Sequence, residues 1–231
     1  MEKLENLDRE AMARLRPSLT NPSWLVLRRR TAIFEKWLTR IDAQHLDVLD
    51  VGGRLQPYRP LLAARLSSYV ALDIRKTPKV TIVGRGEQIP LPNDRFDLVL
   101  CTQVLEYIAD PRQLIAEIHR VLRPGGHLFL SVPAVAPQDS DQDAWRFLPH
   151  SLQILLTGFS SVEIVAEGTS ISGVFRTLCL ATAFFTRPMF LRKPLRLTLV
   201  PLLNLTAAFL ERSSATSNDS FAANFSACAR K

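Results

Sequence analysis

Cysteine is scarce. Cys101, Cys179 and Cys228 are the only three in 231 residues, and they lie far apart, with no C-x-x-C pair and no histidine at ligand spacing. A disulfide framework and a metal site are therefore not expected, and a reducing cytoplasm is the default compartment. Glycine is also scarce, nine in all, and neither G-x-G-x-x-G nor a glycine loop ending in Gly-Lys-Ser/Thr is present. That disfavours NAD or FAD and excludes a P-loop. The first ten residues carry acids and no apolar h-region, which predicts no secretory signal. Acidic residues are outnumbered, giving a net charge of +7, yet the basic residues form no run interleaved with aromatics. The densest groups, Arg28 to Arg30 and Arg192-Lys193, sit in apolar surroundings. Anionic headgroups account for that placement better than nucleic acid does.

What the chain does contain is a strand-like run, Val48 to Val51, that stops at Gly52-Gly53. A helix-like segment with Leu61, Leu62 and Leu66 follows, and a second strand-like run, Tyr69 to Leu72, ends in Asp73. Strand, glycine turn, helix, strand and terminal acid make a nucleotide-binding βαβ unit. Glycine lets the backbone turn tightly and approach a ligand. Asp73 lies 23 residues after Asp50, where an acid can accept hydrogen bonds from a ribose. Only the opening glycines are present, which suits a ligand without a pyrophosphate, such as S-adenosylmethionine (SAM).

Four blocks then follow one another: LDVGGRLQPY (49–58), Asp73, GEQIPLPNDRFDLVLCTQVLEYI (86–108) and LIAEIHRVLRPGGHLFLSVP (114–133). In that order and spacing the sequence resembles the class I SAM-dependent methyltransferases with a type-11-like domain, over roughly residues 46–167. The resemblance implies an α/β fold: a Rossmann-like, seven-stranded, mostly parallel doubly wound sheet, with an N-terminal helix and a helical insertion before the last strand. It also implies that Asp50, Gly52 and Gly53 hold the methionine end, and that Asp73, with Ile74 beside it, holds the ribose. The acid usual under the adenine aligns with Arg85, leaving Gly86 and Glu87 as candidates there. Arg54 replaces the third glycine of the family turn, where a guanidinium can instead pair with the methionine carboxylate. Because the sulfonium carries an activated methyl group, positioning supplies most of the catalysis, roughly 7–11 kcal/mol at best. No nucleophilic triad is expected, and none is visible.

The chain divides into an N-terminal helical segment or lid (1–45), the SAM-binding core (46–167), an apolar basic helical insertion (168–220) and a last strand (221–231). Asn21-Pro22 reads as a helix start. Trp24, Leu27, Thr31, Phe34, Leu38 and Ile41 follow on one helical face. Lys79 to Val83 reads as a third strand, and Phe96 to Cys101 as a buried fourth. Cys101, Thr102 and Gln103 then reach the carboxyl edge, where ligands bind. Gln103 is the ligand contact and Cys101 a buried thiol. Asp110, Pro111 and Gln113 open the next helix, and Arg123 to Gly126 end it. The N/D-P-P-aromatic motif of adenine N6-methyltransferases is absent, which argues against nucleic acid as substrate.

The loop from Ala134 to Pro149 is long, acidic and aromatic, a composition typical of functional loops. Asp143, Trp145, Arg146 and His150 are its substrate-side candidates. His150 and Asp143 are the general bases to test for a hydroxyl acceptor, and Trp145 and Arg146 the substrate contacts. The Trp-Arg-Phe pattern resembles a sub-group accompanying glycan and lipid-linked sugar pathways. Residues 168–210 hold five basic residues (Arg176, Arg187, Arg192, Lys193, Arg196) and no acid. Neither flanking apolar cluster reaches the roughly 20 residues of a spanning helix, and Pro188, Pro194 and Pro201 are expected to break the segment. Interfacial helices on an anionic membrane surface fit, as does a helical cap or a dimer face. The expectation is a cytoplasmic enzyme, peripheral to the inner face of the membrane, that methylates a small-molecule or lipid/glycan-linked acceptor. The alternative is a non-catalytic SAM-fold scaffold, motivated by Arg54 and Arg85; the oligomeric state stays open.

Overall fold

Near-continuous burial along the central strands gives a sheet with two apolar faces, and each face recruits helices. The computed structural model describes residues 3–185, 189–213 and 218–231. Arg187, Pro188 and residues 214–217 lie outside the described residues, as do the side chains of Arg192 and Lys193. The strands are β1 (Leu46–Val51), β2 (Leu66–Asp73), β3 (Ile82–Val83), β4 (Phe96–Thr102), β5 (Leu122–Pro133), β6 (Ser161–Ala166) and β7 (Asn224–Arg230). Their order is β3-β2-β1-β4-β5-β7-β6. All pairs are parallel except those of β7, which runs antiparallel between β5 and β6. The seven-stranded, mostly parallel Rossmann-like sheet is therefore present. Strand order reverses between β1 and β4, which makes a crevice at their carboxyl ends.

The helices are α1 (Leu4–Leu15), α2 (Trp24–Leu38), α3 (Arg59–Leu62), α4 (Pro111–Val121), α5 (Pro149–Leu155), α6 (Ser170–Phe185) and α7 (Met189–Ser213). One sheet face sends Leu49, Val51, Val99, Leu128 and Leu130 against α4 and α5. The other sends Leu46, Val48, Leu98, Leu100 and Phe129 against Phe34 and Trp37 of α2. Each large side chain buried in this way contributes about 1.5–3 kcal/mol.

Several boundaries differ from the sequence pattern, each for a local reason. The α2 helix starts at Trp24 and not at Pro22, because Asn21 Oδ1 accepts from the Ser23 N–H (2.9 Å) in a turn before the helix. Its innermost face is Leu27, Arg30, Phe34 and Trp37, while Trp24, Thr31 and Leu38 are half-buried. The helix after the glycine turn shrinks to α3 and one 3-10 turn, Ala63–Arg65. The third strand keeps only Ile82 and Val83, because a turn at Thr77 accepts from the Lys79 and Val80 N–H groups (3.3 and 3.2 Å). Asp110 does cap α4, accepting from the Arg112 N–H (3.0 Å), but Gln113 adds only a backbone donor. Arg123 to Gly126 lie inside β5 and do not terminate the helix. The α7 helix runs through Pro194 and Pro201 unbroken. Pro201 removes one N–H, and the carbonyl it strands, that of the exposed Leu197, can turn to solvent.

Candidate functional site

The turn after β1 folds back on β2. The N–H groups of Gly52 and Gly53 both donate to the Leu72 carbonyl (2.8 and 3.1 Å). Gly52 has φ +75°, and a Cβ there would stand 2.3 Å from Val104 Cγ2. A Cβ on Gly53 would meet the Asp50 carbonyl at 2.7 Å. Both glycines are thus required by the protein's own packing, and Gly52 additionally by its left-handed backbone.

Over this turn lies a cavity of about 630 Å³, within the range of small-molecule sites. Asp50, Gly52, Asp73, Ile74, Gly86, Glu87 and Gln103 all line it. Seven of the residues singled out in the sequence therefore meet at one crevice, while Gly53 is buried behind it. Asp50 is 3% exposed, and Tyr69 Oη donates to its Oδ2 (2.6 Å). Burial pushes its carboxyl up to about 7 against the pull of that hydrogen bond, with Asp73 adding repulsion. Asp73 ends β2, its Oδ1 accepting from the Arg75 N–H (2.8 Å). Ile74, 64% exposed, offers an apolar wall next to it. Gly86 passes so close to α4 that a Cβ would stand 2.7 Å from Leu114 Cδ1. Glu87 is tied to Arg85 (2.9 Å).

The cavity wall also carries two cations. Arg14 of α1 and Arg54 both line it, and each approaches Glu10 Oε1 at 3.4 Å. The sequence singled out no residue of the first helix within the expected lid of residues 1–45. Its Leu7 and Ala11 pack with Leu55 of the glycine-turn loop, which places it at the rim of the crevice.

Another stretch of the cavity wall is built by the residues after β4 and β5. Thr102 and Gln103 line the cavity, whereas Cys101 is fully buried in the core. Gln103 has φ +54°, a strained backbone for a side-chain-bearing residue. Its Nε2 lies 3.2 Å from the Ser131 carbonyl. The Asn224 amide, oriented to satisfy both its atoms, accepts from Gln103 Nε2 and Arg30 Nη2 (3.0 Å each) and donates to Ala223. Arg30 in turn is buried against Glu167 (2.8 Å). Glu167 Oε1 also accepts from Ser131 and Ser226 (2.5 and 2.6 Å). The strained Gln103 is therefore held by β5 and β7, with Arg30 of α2 and Glu167 behind them.

The long loop arches back over the cavity, which Asp139, Ser140 and Gln142 line. Tyr107 Oη donates to Asp139 Oδ2 (2.9 Å), and Trp145 Nε1 to the Ile108 carbonyl (2.8 Å). Asp143 and Arg146 form a two-pronged pair (2.5 and 2.8 Å), and Arg146 also donates to the carbonyls of Ala136 and Pro137. Hydrogen bonds from Arg146 hold the Asp143 carboxyl below the usual carboxylate range. Neither Asp143, Trp145, Arg146 nor His150 lines the cavity, and His150 is exposed on α5. Beneath the loop lies Glu106, 3% exposed, whose backbone carbonyl accepts from the Ala144 and Trp145 N–H groups. Its Oε2 has no hydrogen-bond partner among the described residues, and burial pushes the carboxyl up to about 7. Nothing in sequence spacing separates Glu106 from a solvated acid; only its place under the loop does.

Comparison with known proteins agrees with this geometry. Residues 49–130 match the methyltransferase domain family. Among curated proteins, the ubiquinone biosynthesis O-methyltransferase of Pseudomonas paraeruginosa is 40% identical over 75 residues, 31% of this chain and 30% of that protein. The chain therefore matches less than a third of that relative's length. A SAM-dependent methyltransferase from Archaeoglobus fulgidus superposes with a TM-score of 0.54 at 14% identity, over 87% of this chain and 94% of that one. The 1,6-didemethyltoxoflavin-N1-methyltransferase of Burkholderia thailandensis, solved with S-adenosylhomocysteine, gives 0.53 at 16% identity, over 89% and 78%. The fold is that of the class I SAM-dependent methyltransferases.

Proposed function

We propose that this chain, with a methyltransferase domain at residues 49–130, is a SAM-dependent methyltransferase acting on a small-molecule acceptor. The observation that carries this reading is the convergence of the Gly52 turn, Asp73, Gly86, Glu87 and Gln103 on one cavity. The residues fit the cofactor: a bare-backbone turn, a carboxylate at the end of β2 for a ribose, and two guanidiniums sharing one glutamate and suited to a carboxylate. When bound, SAM supplies an activated methyl group. The chain's own task is to orient the acceptor and exclude water, which the loop strapped by Tyr107 and Asp139 is placed to do. Glu106, under that loop, joins His150 and Asp143 as a candidate to take a proton from a hydroxyl acceptor.

A lipid- or glycan-linked acceptor and a location peripheral to the cytoplasmic face of the membrane belong to the same proposal. Their support is the outer face of α7, where Leu202, Leu205 and Phe209 are 51–69% exposed and Arg212 continues the stripe.

Calorimetric titration with S-adenosylhomocysteine tests the cofactor role. The full chain is expected to bind it, and Asp73→Ala to bind at least tenfold more weakly with an unchanged melting temperature. A lost charge-assisted hydrogen bond of about 1.5–3 kcal/mol corresponds to that loss. Absence of binding heat and of thermal protection in the wild type favours the scaffold reading instead.

A further inference from the structure

Three guanidiniums gather near the root of the loop after β5, outside the cavity lining, and among the described residues only two of them are neutralised. Arg30 is closed by Glu167, and Arg146 by Asp143. Arg176, from α6, reaches the same region with neutral partners alone. Its Nε donates to Ser23 Oγ (3.1 Å) and its Nη1 to the Val135 carbonyl (3.2 Å). Among the described residues no carboxylate stands within ion-pair distance of it, and Nη2 has no hydrogen-bond acceptor. The Glu167 carboxylate that acts on it from a distance already accepts from Arg30, Ser131 and Ser226. Burial, with Arg30 and Arg146 as like-charged neighbours, lowers Arg176 to about 10.

A partly buried cation crowded by two others is costly unless an anion completes it. The location says which anion. Val135 lies just beyond β5, at the root of the loop whose Asp139, Ser140 and Gln142 line the cavity. Arg146 and Arg176 hold the consecutive carbonyls of Val135, Ala136 and Pro137 at that root. Asp73 lies beyond β1 and β4 from here, on the other flank of the sheet. An anion at Arg176 is thus separate from the ribose side of the cofactor cleft.

We infer that Arg176 is a specificity-determining residue that binds an oxyanion, phosphate or carboxylate, carried by the acceptor, so that the enzyme selects acidic substrates. The inference rests on the methyltransferase reading for the word acceptor, though the anion site itself does not. A lipid headgroup offers the same chemistry, and the test separates the two sources.

The probes are inorganic phosphate and S-adenosylhomocysteine, titrated separately into the full-length protein by calorimetry. Flotation with phosphatidylglycerol vesicles forms the third arm. Phosphate should bind the wild type saturably, at least tenfold more weakly in Arg176→Gln, to an intermediate degree in Arg176→Lys, and unchanged in Arg112→Gln, a substitution of an exposed arginine on α4. All four proteins should bind S-adenosylhomocysteine alike. Equal phosphate affinity in wild type and Arg176→Gln, or no phosphate binding at all, overturns the anion site while leaving the cofactor reading intact. Loss of vesicle flotation in Arg176→Gln with phosphate binding preserved assigns the arginine to headgroups and overturns the acceptor role. Should Arg176→Gln unfold, Arg176→Lys carries the test. Phosphate binding without S-adenosylhomocysteine binding refutes the methyltransferase reading and keeps the site.

Discussion

Asp50 links the cofactor crevice to stability. Its carboxyl keeps its proton up to about 7 in the folded chain but releases it near 3.9 when unfolded. Between those values the native state binds more protons, so this residue's contribution to stability falls as pH rises through the window. Three units at about 1.4 kcal/mol each set an upper limit on the order of 4 kcal/mol. Carboxyls with lowered values, such as Asp47 and Glu117, tilt the total the other way, so the useful measurement is a difference between proteins. Ligand-free Asp50→Asn is expected to melt higher than wild type at pH 8 and to match it near pH 4. Parallel melting curves across that range rule out the buried carboxyl as the source. Gly52 gives a second residue-scale outcome. Gly52→Ala adds a Cβ 2.3 Å from Val104 Cγ2 at a positive φ, and should weaken S-adenosylhomocysteine binding more than tenfold. Gly52→Ala/Val104→Ala should recover part of that loss. No recovery means that the backbone conformation alone sets the requirement.

At the scale of elements, α2 anchors one face of the sheet. Phe34 stands with ring centroids 5.8 Å from Trp37, 4.9 Å from Tyr58 and 5.3 Å from Phe129. Truncation of such a residue costs about 3–5 kcal/mol. Phe34→Ala is therefore expected to lower the urea midpoint sharply while leaving cofactor affinity in buffer near wild type. A loss of affinity at full folding would instead assign α2 a role at the site, as the lid expectation for residues 1–45 implies. The α4 helix was legible in advance because its cap is local: Asp110 and Arg112 are two residues apart. Where that helix ends was not, since Leu122 pairs with Phe96 across the sheet, and strand pairing outweighs the glycines that follow.

For the whole molecule, the insertion gives the chain an asymmetric outer surface. Val200, Asn204 and Ala207 of α7 face inward, and Asn204 Nδ2 donates to the carbonyls of Leu19 and Asn21 (2.8 and 3.0 Å). The opposite stripe remains open to solvent. No helix among the described residues is long and apolar enough to cross a membrane. Leu202→Asp/Phe209→Asp is expected to abolish flotation with anionic vesicles while S-adenosylhomocysteine binding persists. A wild type that ignores such vesicles removes the peripheral reading.

The strand–glycine–strand–acid unit is legible from neighbouring residues alone, and through the family resemblance the sequence also singled out Asp50, Gly52, Asp73, Ile74, Gly86, Glu87 and Gln103 of the cavity wall. Period, turn chemistry and spacing are properties of neighbouring residues, so they can be read without coordinates. Tertiary structure decided which charges meet. Arg30 and Glu167 are 137 positions apart, and Arg54 and Glu10 are 44; no local pattern pairs them. It likewise buried Glu106 beneath the loop and left Arg176 near two other guanidiniums with no carboxylate of its own among the described residues. Electrostatic balance in a crevice depends on distance through space and on the water that burial removes, and both are fixed only when the sheet closes.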